Sequence, residues 1–180
     1  MIIVISGLHG TGKSAIGKLL AERLKLNYYS TGKAFRELAQ EKGMSLEDFT
    51  LYVEKHPEID KNLDNLVIKC AKNGNTVIDS QLGGYLLKSK ADIKILLNCT
   101  LETRIRRIVE RDNSNFDAKL KETLLREKSE LERFKNLYNI DLSDENTNKE
   151  LYDLIINTES LSIQEIIKKI LLELKKKNLI

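Results

Sequence analysis

The chain has 180 residues, the size of one compact domain able to bury a sizeable core. With 41% hydrophobic and 32% charged residues it reads as a soluble globular protein, which excludes a disordered chain, and no apolar run approaches the length of a membrane span. A net charge of +3 excludes strong polyelectrolyte character, while 22 Lys against 8 Arg suggests selective use of arginine, whose planar fork recognises phosphate and carboxylate as lysine cannot.

The first apolar run, Ile2–Ser6, predicts a strand and is too short for a signal peptide. Gly12 to Leu24 reads as a helix, followed by a strand over Leu26–Ser30. Residues 32–72 form a helical excursion too long for a plain crossover. Strands are then predicted at Thr76–Asp79 and Ile93–Cys99, and a helix at Leu101 to Asp112. Asp112–Asn115 is a polar hinge before a long helix from Phe116 to about Tyr138. After a fifth strand, Leu154–Asn157, the last helix is capped by Ser162 and Glu165 and carries Ile163, Ile166, Ile167, Ile170, Leu171 and Leu174 at helical spacing. Near-continuous hydrophobicity suits strands buried on both faces, and their alternation with helices predicts a doubly wound α/β domain with a parallel sheet. Cys70 and Cys99 are expected to be small buried hydrophobes in a reducing cytosol.

Gly7-Leu8-His9-Gly10-Thr11-Gly12-Lys13-Ser14 fits G-x-x-x-x-G-K-[ST] and lies between a predicted strand and a predicted helix. Its glycines let the backbone wrap a phosphate with N–H groups pointing inward, reinforced by the helix N-terminus. Lys13 is placed to reach the β/γ-phosphates, and the Ser14 hydroxyl to ligate Mg²⁺. His9 occupies a position the motif leaves free and reads as a loop side chain rather than a base. Neither N-K-x-D nor a D-x-x-G switch after the third strand occurs, which favours a small phosphotransferase over a GTPase.

The arginines are grouped. At about 100° per helical residue, Arg104, Arg107 and Arg111 share one face of their helix. Arg126, Glu130 and Arg133 share a face of the next. Two such faces joined by a hinge suggest a lid that carries positive charge over a transferring phosphoryl group, although solvated faces with i,i+4 pairs such as Arg126–Glu130 would look the same. Thr31, Gly32 and Arg36 follow the second strand as an acceptor-phosphate site would, or as an ordinary helix cap would. Asp79, at the end of the third strand, is a candidate to hold Mg²⁺ through water; a strand-end turn is the alternative.

These residues resemble nucleoside monophosphate kinases, in particular the compact archaeal cytidylate kinases. The resemblance runs through the phosphate loop, S-T-G-x-x-F-R at Ser30–Arg36, Gly43-Met44-Ser45-Leu46-Glu47, His56-Pro57-Glu58-Ile59-Asp60, Tyr138-Asn139-Ile140-Asp141 and Ile155-Ile156-Asn157-Thr158. It implies a P-loop NTPase fold with a five-stranded parallel sheet as core (1–31, 73–103, 151–180), a small helical acceptor-binding insert (32–72) and a helical lid (about 104–140). It also implies transfer of the ATP γ-phosphoryl group to CMP or dCMP, with Mg²⁺. The chain is expected to be a cytosolic monomer, and its composition and lack of a long apolar run predict that it engages neither nucleic acid nor membrane. Carried over by position, Gly7 to Ala15 would bind ATP, and Thr31, Arg36, Gln81, Arg126, Glu130 and Arg133 would bind the acceptor. Lys13, Arg104, Arg107 and Arg111 would act on the transferred group, and Ser14 and Asp79 would hold the metal. One departure is Ser80-Gln81, where the family commonly has Gly-Arg: Gln keeps hydrogen bonding but loses charge and fork. A kinase for AMP, UMP or shikimate, and an ATP-binding module without turnover, are the alternatives. Zero Trp and four Phe offer no aromatic-basic platform for RNA.

Overall fold

The N-terminal apolar run becomes the middle strand of the sheet. In a computed structural model that describes residues 1–180, Ile3, Val4 and Ile5 of β1 (Ile2–Ser6) are completely buried. A strand without polar alternation needs both faces covered, and the layers on either side supply this. α1 (Lys13–Leu24) leads to β2 (Asn27–Ser30), and α2 (Thr31–Glu41), α3 (Leu46–Glu54) and α4 (Pro57–Lys72) precede β3 (Thr76–Asp79). The short α5 (Gly83–Leu86) connects to β4 (Ile93–Asn98), followed by α6 (Leu101–Asp112) and α7 (Phe116–Tyr138). α8 (Glu145–Leu151), β5 (Leu154–Asn157) and α9 (Ile163–Lys176) complete the chain.

The five strands are parallel, in the order β2-β3-β1-β4-β5. β1 leads to β2 on one side of itself, whereas β3 leads to β4 on the other. The connections therefore part beside β1 and leave a crevice at the carboxyl ends of the strands. The register brings those ends level there: Asp79 lies opposite Ile5 of β1 and Ser30 of β2.

Alternate residues of β1 feed two cores. Ile3 and Ile5 pack with Ile16 and Leu20 of α1 and with Ile166, Ile167, Ile170 and Leu174 of α9. Val4 joins Ile78, Val67, Ala71 and Leu87 on the opposite face. The α9 stripe is the predicted one, and its capping box is formed, with Ser162 accepting from the Glu165 N–H and Glu165 accepting from the Ser162 N–H. The 32–72 excursion is three helices with a core of their own, in which Phe35 and Phe49 meet edge to face at 4.7 Å.

The structure departs from the sequence reading in several places. Leu26 lies outside β2 because its N–H closes the end of α1 by bonding the Ala21 carbonyl. Both cysteines are only partly buried, so neither is the enclosed hydrophobe expected. α8 has no counterpart in the sequence reading; the Asp144 carboxylate caps it by accepting from the N–H groups of Asn146 and Thr147. The largest departure is α7, which turns its charged face inward. Arg126, Glu127, Glu130 and Arg133 are buried while Leu124 is 45% exposed, so the Arg126–Glu130 pair is not a solvated one. No helix is long and apolar enough to cross a membrane.

Candidate active site

The crevice opens into a cleft of about 720 Å³, large enough for small-molecule ligands. One wall is the loop between β1 and α1. Gly10 has φ +79°, and a Cβ there would stand 2.5 Å from the Arg104 carbonyl oxygen, so both conformation and space demand glycine. α1 begins at Gly12 without a side-chain cap and without an acid in its first turn, which leaves its first N–H groups available to an anion.

Lys13 reaches back over the loop, its Nζ donating to the Leu8 carbonyl at 2.9 Å. Burial lowers its pKa, opposed by Asp79, Glu130 and Glu127, so the loop holds a cation in a poorly solvated place. An anionic phosphate is the partner such a group lacks. Beside it the Ser14 hydroxyl donates to Asp79 Oδ2 at 2.6 Å, and Tyr28 (2.8 Å) and Ser30 (3.1 Å) donate to the same oxygen. This convergence follows from the level ends of β2 and β3. Burial and Asp79 push the Tyr28 phenol up to about 12, which keeps it a donor at neutral pH.

Ser14 and Asp79 are hard oxygen donors side by side in the cleft, the chemistry Mg²⁺ prefers. No group of three or more His, Cys, Asp or Glu forms a complete metal cage. An ion here would take its other ligands from phosphate and water, as Mg²⁺ usually does.

The opposite wall gathers guanidinium groups. Arg36 is half-buried, and its pKa is lowered by burial and then by Arg111 and Arg126. Arg126 lies over the Phe35 ring at 5.6 Å, is 6% exposed, and has no partner for its Nε. The Thr31 hydroxyl is buried without a partner in the same wall. Arg133, farther along α7, is held by Asp60 at 2.7 Å and by Ser129 at 2.6 Å. Arg111 borders the cleft and pairs with Asp112 at 2.7 Å.

The three arginines expected on one face of α6 have separate surroundings. Arg107 borders the cleft and donates to the Thr158 hydroxyl (2.9 Å) and carbonyl (2.7 Å), with Cys99 Sγ at 3.4 Å, so it ties α6 to the segment after β5. Arg104 corrects the sequence reading. It lies behind the phosphate loop rather than along the cleft, 5% exposed, and donates to the His9 carbonyl at 2.9 Å while ion-pairing with Glu127. Its contacts brace the loop against α7.

Several contacts of the site, and the residues Glu127 and Asp64, went unnoticed in the sequence. His9 is more than a loop side chain, because its Nε2 meets Glu130 Oε2 at 2.7 Å, and Gln81 Nε2 reaches the same oxygen at 2.7 Å. Glu127 accepts from the His9 N–H at 3.2 Å. Asp60 and Asp64 both line the cleft, and Tyr138 donates to Asp64 at 2.6 Å. Their i,i+4 spacing, in step with Leu63 and Val67 of the buried face, was the signal that could have revealed them.

Comparison with known proteins agrees with this architecture. A family model described as an AAA domain matches residues 3–154. A cytidylate kinase of Sulfurisphaera tokodaii is 44% identical over 93% of this chain and 92% of its own length, and one of Methanocaldococcus jannaschii is 41% identical over 91% and 92%. Among solved structures, a shikimate kinase from Acinetobacter baumannii in complex with shikimate superposes with a TM-score of 0.62 at 17% identity, covering 98% of this chain and 94% of that one; this likeness concerns the fold alone. On the strength of those full-length relatives, the chain belongs to the cytidylate kinase family of P-loop nucleoside monophosphate kinases.

Proposed function

We propose that the chain transfers the γ-phosphoryl group of ATP to CMP or dCMP, giving ADP and CDP or dCDP. The observation that carries this reading is one cleft with two anion-seeking walls: the phosphate loop with Lys13 on one side, and Arg36, Arg111 and Arg126 on the other. A single phosphate site would need only the first. Arg36, whose ionisation is depressed by burial and then by Arg111 and Arg126, is relieved when an anion binds among these guanidiniums.

In this reading Gly7 to Ala15 hold the ATP phosphates through backbone N–H groups, the His9 side chain being turned away to Glu130, and Lys13 neutralises charge on the β/γ oxygens. Thr31, Arg36 and Arg126 orient the acceptor phosphate for in-line attack, with Gln81, Glu130 and Arg133 beside the nucleoside. No general base is needed, because the acceptor phosphate is already an anionic nucleophile. Catalysis then rests on positioning and on electrostatic stabilisation of the spreading charge. Ser14 and Asp79 would hold Mg²⁺, which supplies charge neutralisation to the phosphates when bound. Residues 32–72 act as the acceptor-binding insert and residues about 104–140 as a lid, in which Arg107 and Arg111 approach the transferred group and water is excluded. The enzyme would work in the cytoplasm on free nucleotides.

The test is a coupled ADP-release assay with ATP-Mg²⁺ and CMP, dCMP, UMP, AMP or shikimate. The proposal expects turnover with CMP or dCMP well above the others. Turnover with AMP or shikimate above CMP would overturn the assigned acceptor, and no ADP with any acceptor would overturn the kinase reading.

A further inference from the structure

The contact between His9 and Glu130 joins two parts of the chain that serve different substrates in the proposed reaction. His9 belongs to the loop that cradles the donor phosphates, whereas Glu130 lies on α7 among the acceptor-side residues. Both side chains are largely enclosed, at 17% and 8% exposure. The loop residue is also gripped through its backbone, its N–H by Glu127 and its carbonyl by Arg104. The imidazole is thus fixed in place.

The arrangement of Glu130 is asymmetric. Oε2 takes two close donors, His9 Nε2 and Gln81 Nε2, each at 2.7 Å. The 3.1 Å approach of those two nitrogens reflects two donors converging on one oxygen. Burial favours the protonated carboxyl, but His9, Arg126 and Arg133 outweigh it and hold the group down to about 2, so Glu130 is an acceptor only. Oε1, by contrast, stands 3.7 Å from Arg126, too far for a hydrogen bond even though the i,i+4 spacing permits one. Arg126 consequently stays in the acceptor wall as a buried cation in a loose ion pair with Glu130, with no hydrogen bond to that carboxylate and its Nε unpartnered.

We propose that His9 is a positioning residue for the acceptor: with Gln81 it keeps Glu130 in a loose ion pair with Arg126 rather than in a hydrogen bond, so that the N–H donors of the Arg126 guanidinium remain available to an anionic acceptor. The inference rests on the kinase reading above. Its physical content is a competition. A buried carboxylate deprived of one of its two donors seeks another, and the nearest is the guanidinium on the next turn. A hydrogen-bonded Arg126–Glu130 pair would occupy the N–H donors that the acceptor needs and tighten the local compensation of charge. The donor loop would then set acceptor affinity without touching the acceptor.

The experiment measures KM for ATP and for whichever acceptor the wild-type enzyme phosphorylates best, in His9→Ala, His9→Gln, Glu130→Gln and the double variant His9→Ala/Glu130→Gln. His9→Ala should raise the acceptor KM about tenfold, the scale of a lost hydrogen bond to a charged group, and leave the ATP KM within about twofold. His9→Gln retains an N–H donor and should recover most of the loss. In the Glu130→Gln background no carboxylate can capture Arg126, so adding His9→Ala should change the acceptor KM less than about twofold. Equal rises in both KM values, failure of the Gln variant to rescue, or the same His9→Ala effect in both backgrounds would each overturn the proposal. If His9→Ala does not fold, His9→Phe removes the donor while filling the space and must raise the acceptor KM alone, with that rise falling below about twofold in the Glu130→Gln background. A wild-type enzyme that prefers another acceptor would refute the CMP assignment while leaving this test intact; one that turns over no acceptor would refute both.

Discussion

Asp64 should weaken the folded protein at neutral pH, and replacing it should show this. The carboxylate is 7% exposed in the wall of the cleft, and burial pushes its pKa up to about 6, with Asp60 adding to the rise and the Tyr138 hydrogen bond opposing it. The ordinary value is 3.8. Between these two values the folded chain binds more protons than the unfolded one, so stability falls as pH rises through the window. Below 3.8 the contribution of Asp64 is fully present, and above 6 it is lost. A shift of about two pH units corresponds to about 3 kcal/mol, and relaxation around the site brings the expected effect to about 1–3 kcal/mol. Asp64→Asn keeps the shape and the oxygen that accepts from Tyr138 but removes the charge. Urea denaturation of both proteins should give equal stability near pH 4 and a more stable variant, by that amount, at pH 7.5. Groups far from the site titrate alike in both proteins and cancel in the difference. A stability difference independent of pH, or a variant less stable at pH 7.5, would refute the reasoning.

Lys13→Met preserves the length of the side chain and removes its charge; it should leave the circular dichroism spectrum unchanged and reduce kcat about a thousandfold or more, whereas a loss below about tenfold would remove Lys13 from the transfer step. Arg104→Ala leaves the Glu127 carboxylate buried without its partner and should destabilise the fold by about 3–5 kcal/mol in urea. Replacing both, as Arg104→Met with Glu127→Leu, should recover most of that loss, and equal destabilisation of the single and double variants would show that the pair is not the cause. Ser162→Ala breaks the capping box of α9 and should lower stability by about 1 kcal/mol, read as a shift in the urea midpoint.

How much of this was legible in the sequence depended on the range over which each feature is determined. The phosphate loop could be read because its chemistry is local: glycines, Lys13 and Ser14 lie within eight consecutive residues, and the adjoining strand and helix follow from runs of apolar residues. The α9 stripe was equally plain, since helical period and capping box are both properties of one segment. On α7 the period correctly placed Arg126, Glu130 and Arg133 together, but period alone does not tell which face is buried. The usual assumption, that leucines turn inward, fails there because Leu124 faces solvent.

What reverses the rule on α7 is supplied from elsewhere in the chain. Arg133 meets Asp60, 73 positions away, Ser129 donates to Glu54, 75 positions away, and Glu130 meets His9, 121 positions away. A charge may be buried only where a partner awaits it, so burial of a charged face is a property of pairs and cannot be read from either member. Arg104 illustrates the same limit, since it shares a helical face with Arg107 and Arg111 but is drawn behind the loop by Glu127 of the neighbouring helix. One trace of this network does remain in composition. Lysine covers the surface, and of the eight arginines only Arg23 and Arg106 make exposed contacts remote from the cleft. Arg104 braces the loop, and Arg36, Arg107, Arg111, Arg126 and Arg133 line the cleft. A guanidinium is more weakly hydrated than an ammonium and bonds through a rigid fork, which makes it the cation best suited to burial beside carboxylates and phosphates. The scarcity of arginine and the inward charged face of α7 therefore have the same physical origin.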